Sequence, residues 1–429
     1  MSEYRGYTGK SLSFLQESKV KVGDTIKVTE ELTYSGILMP RYELSDDQHI
    51  VMKLKSGYNV GIEVDKIKKI ELISSQKLTK EIPSDIKTNS SLPKVLLLST
   101  GGTIASKVDY RTGGVTPALS ASELNAAIPE LAKIANIDAE VLFSEYSENL
   151  QPEHWKKIAE KLDTCSKSKY MGIVITHGTD TMQYTAAFLS FALSGFPIPI
   201  ALVGSQRSSD RPSSDAALNL ISAVRFVIEG NTKGIFVIMH HNESDDLIVS
   251  HLGTRVRKNH TSKRSAFKTI GDDPAFLILD KKIEKNLKKE FFKQKDYNPK
   301  LNLDTRVALV KYHPGYDPKL IDYIIESGYK AIIFEGTGLG HIGKTMYDSV
   351  KSAKKKGLFL GMTSQCIDGR VSMTVYESGR DLLEMGIVPL NNMIPETALV
   401  KAMWALGNTK SVDEMKNLML EKIASEFSD

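Results

Sequence analysis

Hydrophobic and polar positions change rhythm along this chain. Over residues 1–73 apolar residues alternate with polar ones: Ile26 and Val28, then Ile50, Met52 and Leu54, then Val60, Ile62 and Val64. A period of two marks strands with one buried face, and Gly23-Asp24, Tyr34-Ser35-Gly36 and Ser56-Gly57 supply turns between them. Helical periodicity is largely absent, so this stretch is expected to be a small all-β domain of about five strands, curled into a barrel-like form that protects its edges. Residues 74–93 are rich in Ser, Lys and Thr, with Pro83 and Pro93 and no apolar period, which reads as a linker. From Lys94 onward, short apolar runs alternate with helix-length segments, the pattern of a parallel sheet covered by helices.

In this second region strands are expected at 94–99, 139–143, 171–176, 199–203 and 234–239, and helices at 121–135, 152–168, 181–194 and 214–228. Ser120 with Glu123 forms a capping box for the first helix, and Ser213, Ser214 and Asp215 offer caps for the last. The longest apolar stretch, Phe188 to Val203, is interrupted by Ser190, Ser194, Gly195, Pro197 and Pro199. It reads as a buried helix followed by a strand, not a membrane span. The charged segment 281–303 shows no strong strand signal and is expected to join two lobes, the second with strands near 306–311, 331–335 and 358–363. The expected fold is therefore α/β: a small N-terminal β-barrel-like domain (1–73), a linker (74–93), a large lobe (94–280), a connection (281–303) and a smaller α/β lobe (304–429), with mainly parallel sheets.

Composition narrows the function classes. A hydrophobic content of 41% with 25% charged residues places the 429-residue chain among folded globular proteins, with room for two or three domains. Cys165 and Cys366 make no disulfide framework, and the start Met1-Ser2-Glu3-Tyr4-Arg5 lacks a signal-peptide pattern, so a cytoplasmic location is expected. The net charge of +4 is modest but unevenly spread: Arg255, Arg257, Lys258, His260, Lys263, Arg264 and Lys268 crowd one segment, with further basic runs at 281–295 and Lys354-Lys355-Lys356. Such runs are first read as solvated faces, and second as a surface for a phosphate backbone.

Several chemistries are excluded. Gly336-x-Gly338-x-Gly340 lacks dinucleotide-fingerprint spacing, and there is no phosphate-binding P-loop and no Gly-x-Ser-x-Gly elbow. The nine histidines show no convincing zinc-ligand spacing, so neither a metal nor a cofactor is expected in this chain. What remains is Thr, Asp and Lys. Two apolar runs end in Thr-rich, Gly-containing loops: Ser99-Thr100-Gly101-Gly102-Thr103-Ile104-Ala105 and Thr176-His177-Gly178-Thr179-Asp180-Thr181. In open α/β sheets, ligands bind beyond the carboxyl ends of the strands. A Thr hydroxyl needs a base or polarising neighbour to act as a nucleophile, and a lysine held beside a carboxylate can serve. One such loop is as well explained by helix capping; two converging on one crevice are not.

These two motifs resemble the signatures of the L-asparaginase family, whose threonine nucleophiles hydrolyse side-chain amides; the resemblance runs from about Lys94 to the C-terminus. It implies an asparaginase-like two-lobe core, with Thr103 as the nucleophile and Thr179, Asp180 and a later lysine as a Thr-Asp-Lys triad. Lys258 fits that lysine best and Lys263 is the alternative. Ser147, in Tyr146-Ser147-Glu148-Asn149-Leu150, resembles the serine that binds the substrate α-carboxylate; Gly102 and Gly178 lie in the binding loops, and Tyr110 resembles a tyrosine that assists the nucleophile.

The N-terminal β domain and the segment around Lys258 depart from an ordinary asparaginase. Gly36-Ile37-Leu38-Met39-Pro40-Arg41 and Gly57-Tyr58-Asn59-Val60-Gly61-Ile62 make the whole chain similar to the family of D subunits of the archaeal glutamyl-tRNA(Gln) amidotransferase. That resemblance implies release of ammonia from glutamine or asparagine for a partner, the amidotransferase E subunit, which uses ATP and Mg to activate tRNA-bound glutamate. It also implies a homodimer within a heterotetramer, contact with Glu-tRNA(Gln) through the complex, and no membrane. The competing readings are a free-standing cytosolic L-asparaginase and a non-catalytic RNA-binding or assembly protein.

Overall fold

The computed structural model describes residues 4, 6–41, 46–54, 59–75, 91–101, 106–109, 114–117, 124, 128–207, 214–280, 282–286 and 296–428. The alternating N-terminal stretch forms one antiparallel sheet of β1 (Thr25–Thr29), β2 (Thr33–Leu38), β3 (His49–Leu54), β4 (Asn59–Glu63) and β5 (Lys69–Ser74), in the order β4-β3-β2-β1-β5. Ile26, Val28, Leu38, Ile50, Met52 and Ile62 share its core. Among the described residues no ladder joins β4 to β5; a single 3-10 turn, Val64–Lys66, carries the chain between them. The all-β expectation needs one correction. A helix, α1 (Gly9–Glu17), precedes the strands and packs Leu15 into the same core, while its Ser11 donates to Thr8 O at 3.0 Å. Leu12, Phe14 and Leu15 are too few apolar positions to announce a helical face.

The next lobe is built on an eight-stranded sheet. Its strands are β6 (Lys94–Ser99), β9 (Asn136–Val141), β10 (Gly172–Thr176), β11 (Pro199–Val203), β12 (Gly234–His240), β13 (Ile248–Leu252), β16 (Phe276–Ile278) and β17 (Ile283–Lys285), ordered β17-β16-β13-β12-β11-β10-β6-β9. Two small hairpins stand apart from it, β7 (Ser106–Asp109) with β8 (Gly114–Pro117), and β14 (Val256–Lys258) with β15 (Phe267–Thr269). From β9 to β12 all pairings are parallel, and from β12 to β17 all are antiparallel. The segment 281–303, which carries no strong strand signal, contributes β17 to the sheet edge; in the same segment Tyr297 packs edge-on against Phe196 and Lys300 N donates to Ala192 O.

Helices α2 (Pro152–Thr164), α3 (Met182–Ala192) and α4 (Ala216–Glu229) cover the sheet. Helix α3 is apolar almost all round and buries every residue but Tyr184, which identifies it as a core helix. Each Leu or Phe buried there stabilises the lobe by about 1.5–3 kcal/mol. Of the helix expected over 121–135, Leu124 is helical and accepts from Ile128 N at 2.8 Å, whereas residues 128–135 show a 3-10 turn at Leu131–Lys133 before β9 begins at Asn136; the Ser120–Glu123 capping box lies outside the described residues. Asp215 does not cap α4. Its carboxylate turns back to accept from Gln206 N and Arg207 N, while Ser214 Oγ accepts from Ala216 N.

The last lobe is a four-stranded parallel sheet of β18 (Val307–Lys311), β19 (Ala331–Gly336), β20 (Phe359–Ser364) and β21 (Val388–Pro389), with α5 (Lys319–Glu326), α6 (Tyr347–Lys355) and α7 (Glu377–Glu384) between its strands. Helices α8 (Pro395–Asn408) and α9 (Val412–Leu420) follow. Helix α8 binds the two lobes together, sharing one core with α3 through Phe191 stacked on Trp404 at 5.7 Å. Among the described residues no helix is long and apolar enough to cross a membrane.

One place in the large sheet follows from connectivity. The chain leaving β6 crosses to β9 on one side, whereas the chain leaving β10 crosses to β11 on the other. The crevice beyond the carboxyl ends of β6 and β10 is therefore the topological switch point, where open α/β sheets bind ligands.

Candidate active site

Both Thr-rich loops begin at that crevice. Thr100 ties the two strand ends together, donating to Thr176 O from its amide at 3.1 Å and from Oγ1 at 2.9 Å. Gly101 then turns with φ +115°, and a Cβ there would lie 2.2 Å from Glu145 O, so only glycine lets the first loop pass the chain leaving β9. Beyond it, Gly102, Thr103 and Tyr110 lie outside the described residues.

The second loop is described in full. Ser147 is almost entirely buried behind it, its Oγ accepting from Asp180 N at 3.2 Å and its carbonyl accepting from Thr181 Oγ1 at 2.6 Å. A Cβ on Gly178 would come within 2.7 Å of Ser147 Cβ and 2.8 Å of its Oγ. The loop and the serine thus share one tightly packed floor, with Thr179 half-buried and Asp180 facing solvent above it.

Lys258 reaches this floor from a separate element, the β14–β15 hairpin. Its Nζ donates to Thr179 Oγ1 at 2.8 Å and to Asp180 Oδ1 at 2.8 Å. The lysine side chain is 10% exposed and the aspartate 63%, so the contact has a protected end and a wet end. One ammonium-type donor bridging a hydroxyl and a carboxylate can hold that hydroxyl in place and pass a proton through it. Lys263, the alternative lysine, is exposed on the loop of the same hairpin, where its amide donates to His260 Nδ1. Thus Ser147, Gly178, Thr179, Asp180 and Lys258 are brought together.

His177 is not singled out by the sequence, yet it supports the loop. It is fully buried, with Nδ1 2.6 Å from Gly178 O and Nε2 2.8 Å from Thr185 Oγ1. A carbonyl only accepts, so Nδ1 carries the proton and Nε2 accepts from the threonine. Burial pulls the His177 pKa down to about 4, which leaves the ring neutral and unsuited to act as a base against bulk water. The unfolded chain binds that proton near pH 6.5 and the folded chain only near 4, so this stabilisation is complete above pH 6.5 and is lost as pH falls through that window. The loss amounts to about 3 kcal/mol by pH 4. Urea unfolding at pH 7 and pH 4 checks this: His177→Gln should flatten the acid decline, and an unchanged decline would remove His177 as its source.

The basic segment around Lys258 is neither a solvated face nor an open phosphate surface for the most part. Arg255 is buried, Arg257 pairs with Glu396 at 3.0 Å, Arg264 pairs with Asp245 at 2.6 Å, and Lys268 donates to His241 O at 3.3 Å. Cations so engaged orient a hairpin instead of recruiting a polyanion. Lys354 and Lys355 lie in the last turn of α6, where the helix dipole favours positive charge. Among the described residues no group of three or more His, Cys, Asp or Glu is placed to hold a metal ion.

Residues 94–291 match the family model "Asparaginase, N-terminal", 306–419 match "Glutaminase/Asparaginase C-terminal domain", and 20–73 match "GatD N-terminal domain". The chain is 44% identical to the D subunit of glutamyl-tRNA(Gln) amidotransferase from Pyrococcus abyssi, over 97% of each chain. It is 46% identical to the protein of the same name from Metallosphaera sedula, over 99% of this chain and 96% of that one. Among solved structures, the thermostable L-asparaginase from Thermococcus kodakarensis superimposes with a TM-score of 0.72 at 32% identity, covering 99% of that chain but 78% of this one.

Proposed function

The chain belongs to the family of glutamyl-tRNA(Gln) amidotransferase D subunits, and from that premise we propose that it hydrolyses the side-chain amide of glutamine, or of asparagine, and releases ammonia for tRNA-dependent transamidation. The observation that carries this reading is Lys258 Nζ at 2.8 Å from both Thr179 Oγ1 and Asp180 Oδ1, at the switch point of an asparaginase-type sheet. In this reading Thr103 Oγ attacks the amide carbon, the C–N bond breaks, and the nitrogen leaves as ammonia after taking up a proton. The threonyl ester is then hydrolysed by water, which regenerates Thr103 and yields glutamate or aspartate. Thr179 relays protons with Lys258, while Asp180 fixes the lysine. Ser147, whose Oγ accepts from the Asp180 amide, turns its own O–H to the substrate α-carboxylate; Gly102 and Tyr110 take part in substrate binding, Tyr110 assisting the nucleophile. Backbone N–H groups of the glycine loops stabilise the oxyanion, a contribution of about 3–4 kcal/mol per well-placed donor.

The chain needs no cofactor of its own for this chemistry. The ATP and Mg of the full reaction act in the partner, the E subunit, which receives the ammonia and holds Glu-tRNA(Gln). Two copies of this chain form a homodimer within a cytoplasmic heterotetramer. The match to the GatD N-terminal domain, beside an asparaginase that covers only 78% of this chain, supports this reading over a free-standing asparaginase. The covalent step is tested by adding hydroxylamine during turnover. The wild-type chain should form γ-glutamyl hydroxamate and Thr103→Ala none; hydroxamate formation by Thr103→Ala would remove Thr103 as the nucleophile.

A further inference from the structure

The strand that carries Lys258 is poorly fixed by the sheets. β14 is three residues long and, among the described residues, pairs only with β15, in a two-stranded sheet separate from the one that positions Thr179. Val256 anchors it in the main core, and its polar anchors come chiefly from the last lobe. Thr254 Oγ1 donates to Ala424 O at 2.7 Å, and Thr254 O accepts from Thr397 Oγ1 at 2.8 Å. Arg255 donates from Nε to Ser425 O at 2.8 Å and from Nη2 to Ser428 Oγ at 3.2 Å. Arg257 Nε meets Glu396 Oε1 at 3.0 Å, on the first turn of α8. The next residue is Lys258, and neighbouring residues of a strand project to opposite faces. Holding Arg257 on one side therefore sets the rotation and reach of Lys258 on the other.

Resting on the function proposed above, we infer that Glu396 is a positioning residue for Lys258, acting through Arg257 and touching no substrate. Its side chain is 12% exposed and sits on the helix that joins the lobes, a rigid base for an anchor. Among the described residues its second oxygen, Oε2, is buried without a hydrogen-bond partner, so Arg257 is the cation that holds the carboxylate, on a helix first turn that favours negative charge. The neighbouring anchors raise the precision of the arrangement. Lys401 and Glu426, both fully buried, form an ion pair that pins the C-terminal tail, and Glu426 accepts from Ile423 N and Ala424 N. With the tail fixed, loss of the Arg257–Glu396 pair releases a single point of the clamp. A displacement of about 1 Å at a proton-relay group lowers turnover by about 10²-fold, and a partial release by less.

The experiment compares the full-length wild type with Glu396→Gln, Glu396→Asp, Arg257→Gln, the Arg257→Gln/Glu396→Gln double variant and Lys258→Ala. It measures kcat and KM for ammonia release from glutamine and the thermal midpoint of each protein. Glu396→Gln and Arg257→Gln should each lower kcat about tenfold with KM within about twofold, the partial form of that positional loss. The double variant should be no slower than the slower single variant, and Glu396→Asp should recover most of the rate. A kcat per folded molecule equal to wild type in Glu396→Gln and Arg257→Gln, with only the thermal midpoint lowered, overturns the inference. Losses that multiply in the double variant overturn it as well. If Glu396→Gln does not fold, Arg257→Gln and Glu396→Asp decide by the same criteria. Full activity in Lys258→Ala instead defeats the underlying mechanism, whatever Glu396 does.

Discussion

Lys258→Ala should lower the kcat of amide hydrolysis by about 10³-fold or more while the protein stays folded. Loss of a proton-transfer partner of an activated nucleophile commonly costs about 10²–10⁴-fold, and residues acting as a unit fail together. Lys258 bridges Thr179 Oγ1 and Asp180 Oδ1, so its removal undoes both contacts at once. Stability should change little, because the carboxylate it pairs with is 63% exposed, and such wet ion pairs contribute about 0–1 kcal/mol. Lys258→Arg is the sharper variant. It keeps the charge, but a guanidinium does not release its proton in proteins, so the rate should stay low. Steady-state ammonia release and a thermal melt of each variant check the prediction, and wild-type turnover in either would take the lysine out of the mechanism.

Gly178→Ala should lower kcat/KM by about 10²-fold, chiefly through KM. The added Cβ would stand 2.7 Å from Ser147 Cβ and 2.8 Å from Oγ, closer than real Cβ contacts allow, and neither atom belongs to a flexible end. The loop must part from the serine, which lengthens the 3.2 Å Asp180 N–Ser147 Oγ bond and the 2.6 Å Thr181 Oγ1–Ser147 O bond. The serine proposed to hold the substrate α-carboxylate is thereby displaced. Glutamine saturation curves decide the matter: a KM within about twofold of wild type would show that the floor shared by Gly178 and Ser147 does not bind substrate.

The parts of this fold that are legible in the sequence are those specified locally. β6 and β11 occupy the expected 94–99 and 199–203 because each is an unbroken apolar run bounded by turn residues, buried on both faces of a parallel sheet. The Thr-rich loops are legible for a related reason: only Gly101 and Gly178 tolerate the close approaches at their positions. What stays hidden is specified at a distance. Helix α1 has too few apolar residues to show a period, and is held by a core built from strands that follow it. The basic segment looks like a charged surface because nothing local reveals Glu396, Asp245 or the Ser425 carbonyl as partners. Backbone acceptors carry no side-chain identity, so the grip of the C-terminal tail on Arg255 leaves no pattern to read. His177 gives no sign of its place in the sequence; its bonds to Gly178 O and Thr185 Oγ1 show it to support the loop.

The central claim, that this chain is an ammonia donor coupled to a tRNA-dependent partner, is tested most directly by ammonia release from glutamine and asparagine. The purified chain is assayed alone, then with glutamylated tRNA and the partner amidotransferase protein. Release by the chain alone should be slow and should rise sharply when both partner and charged tRNA are present. Rapid release from asparagine by the chain alone, unchanged by either addition, would contradict it and identify a free-standing asparaginase.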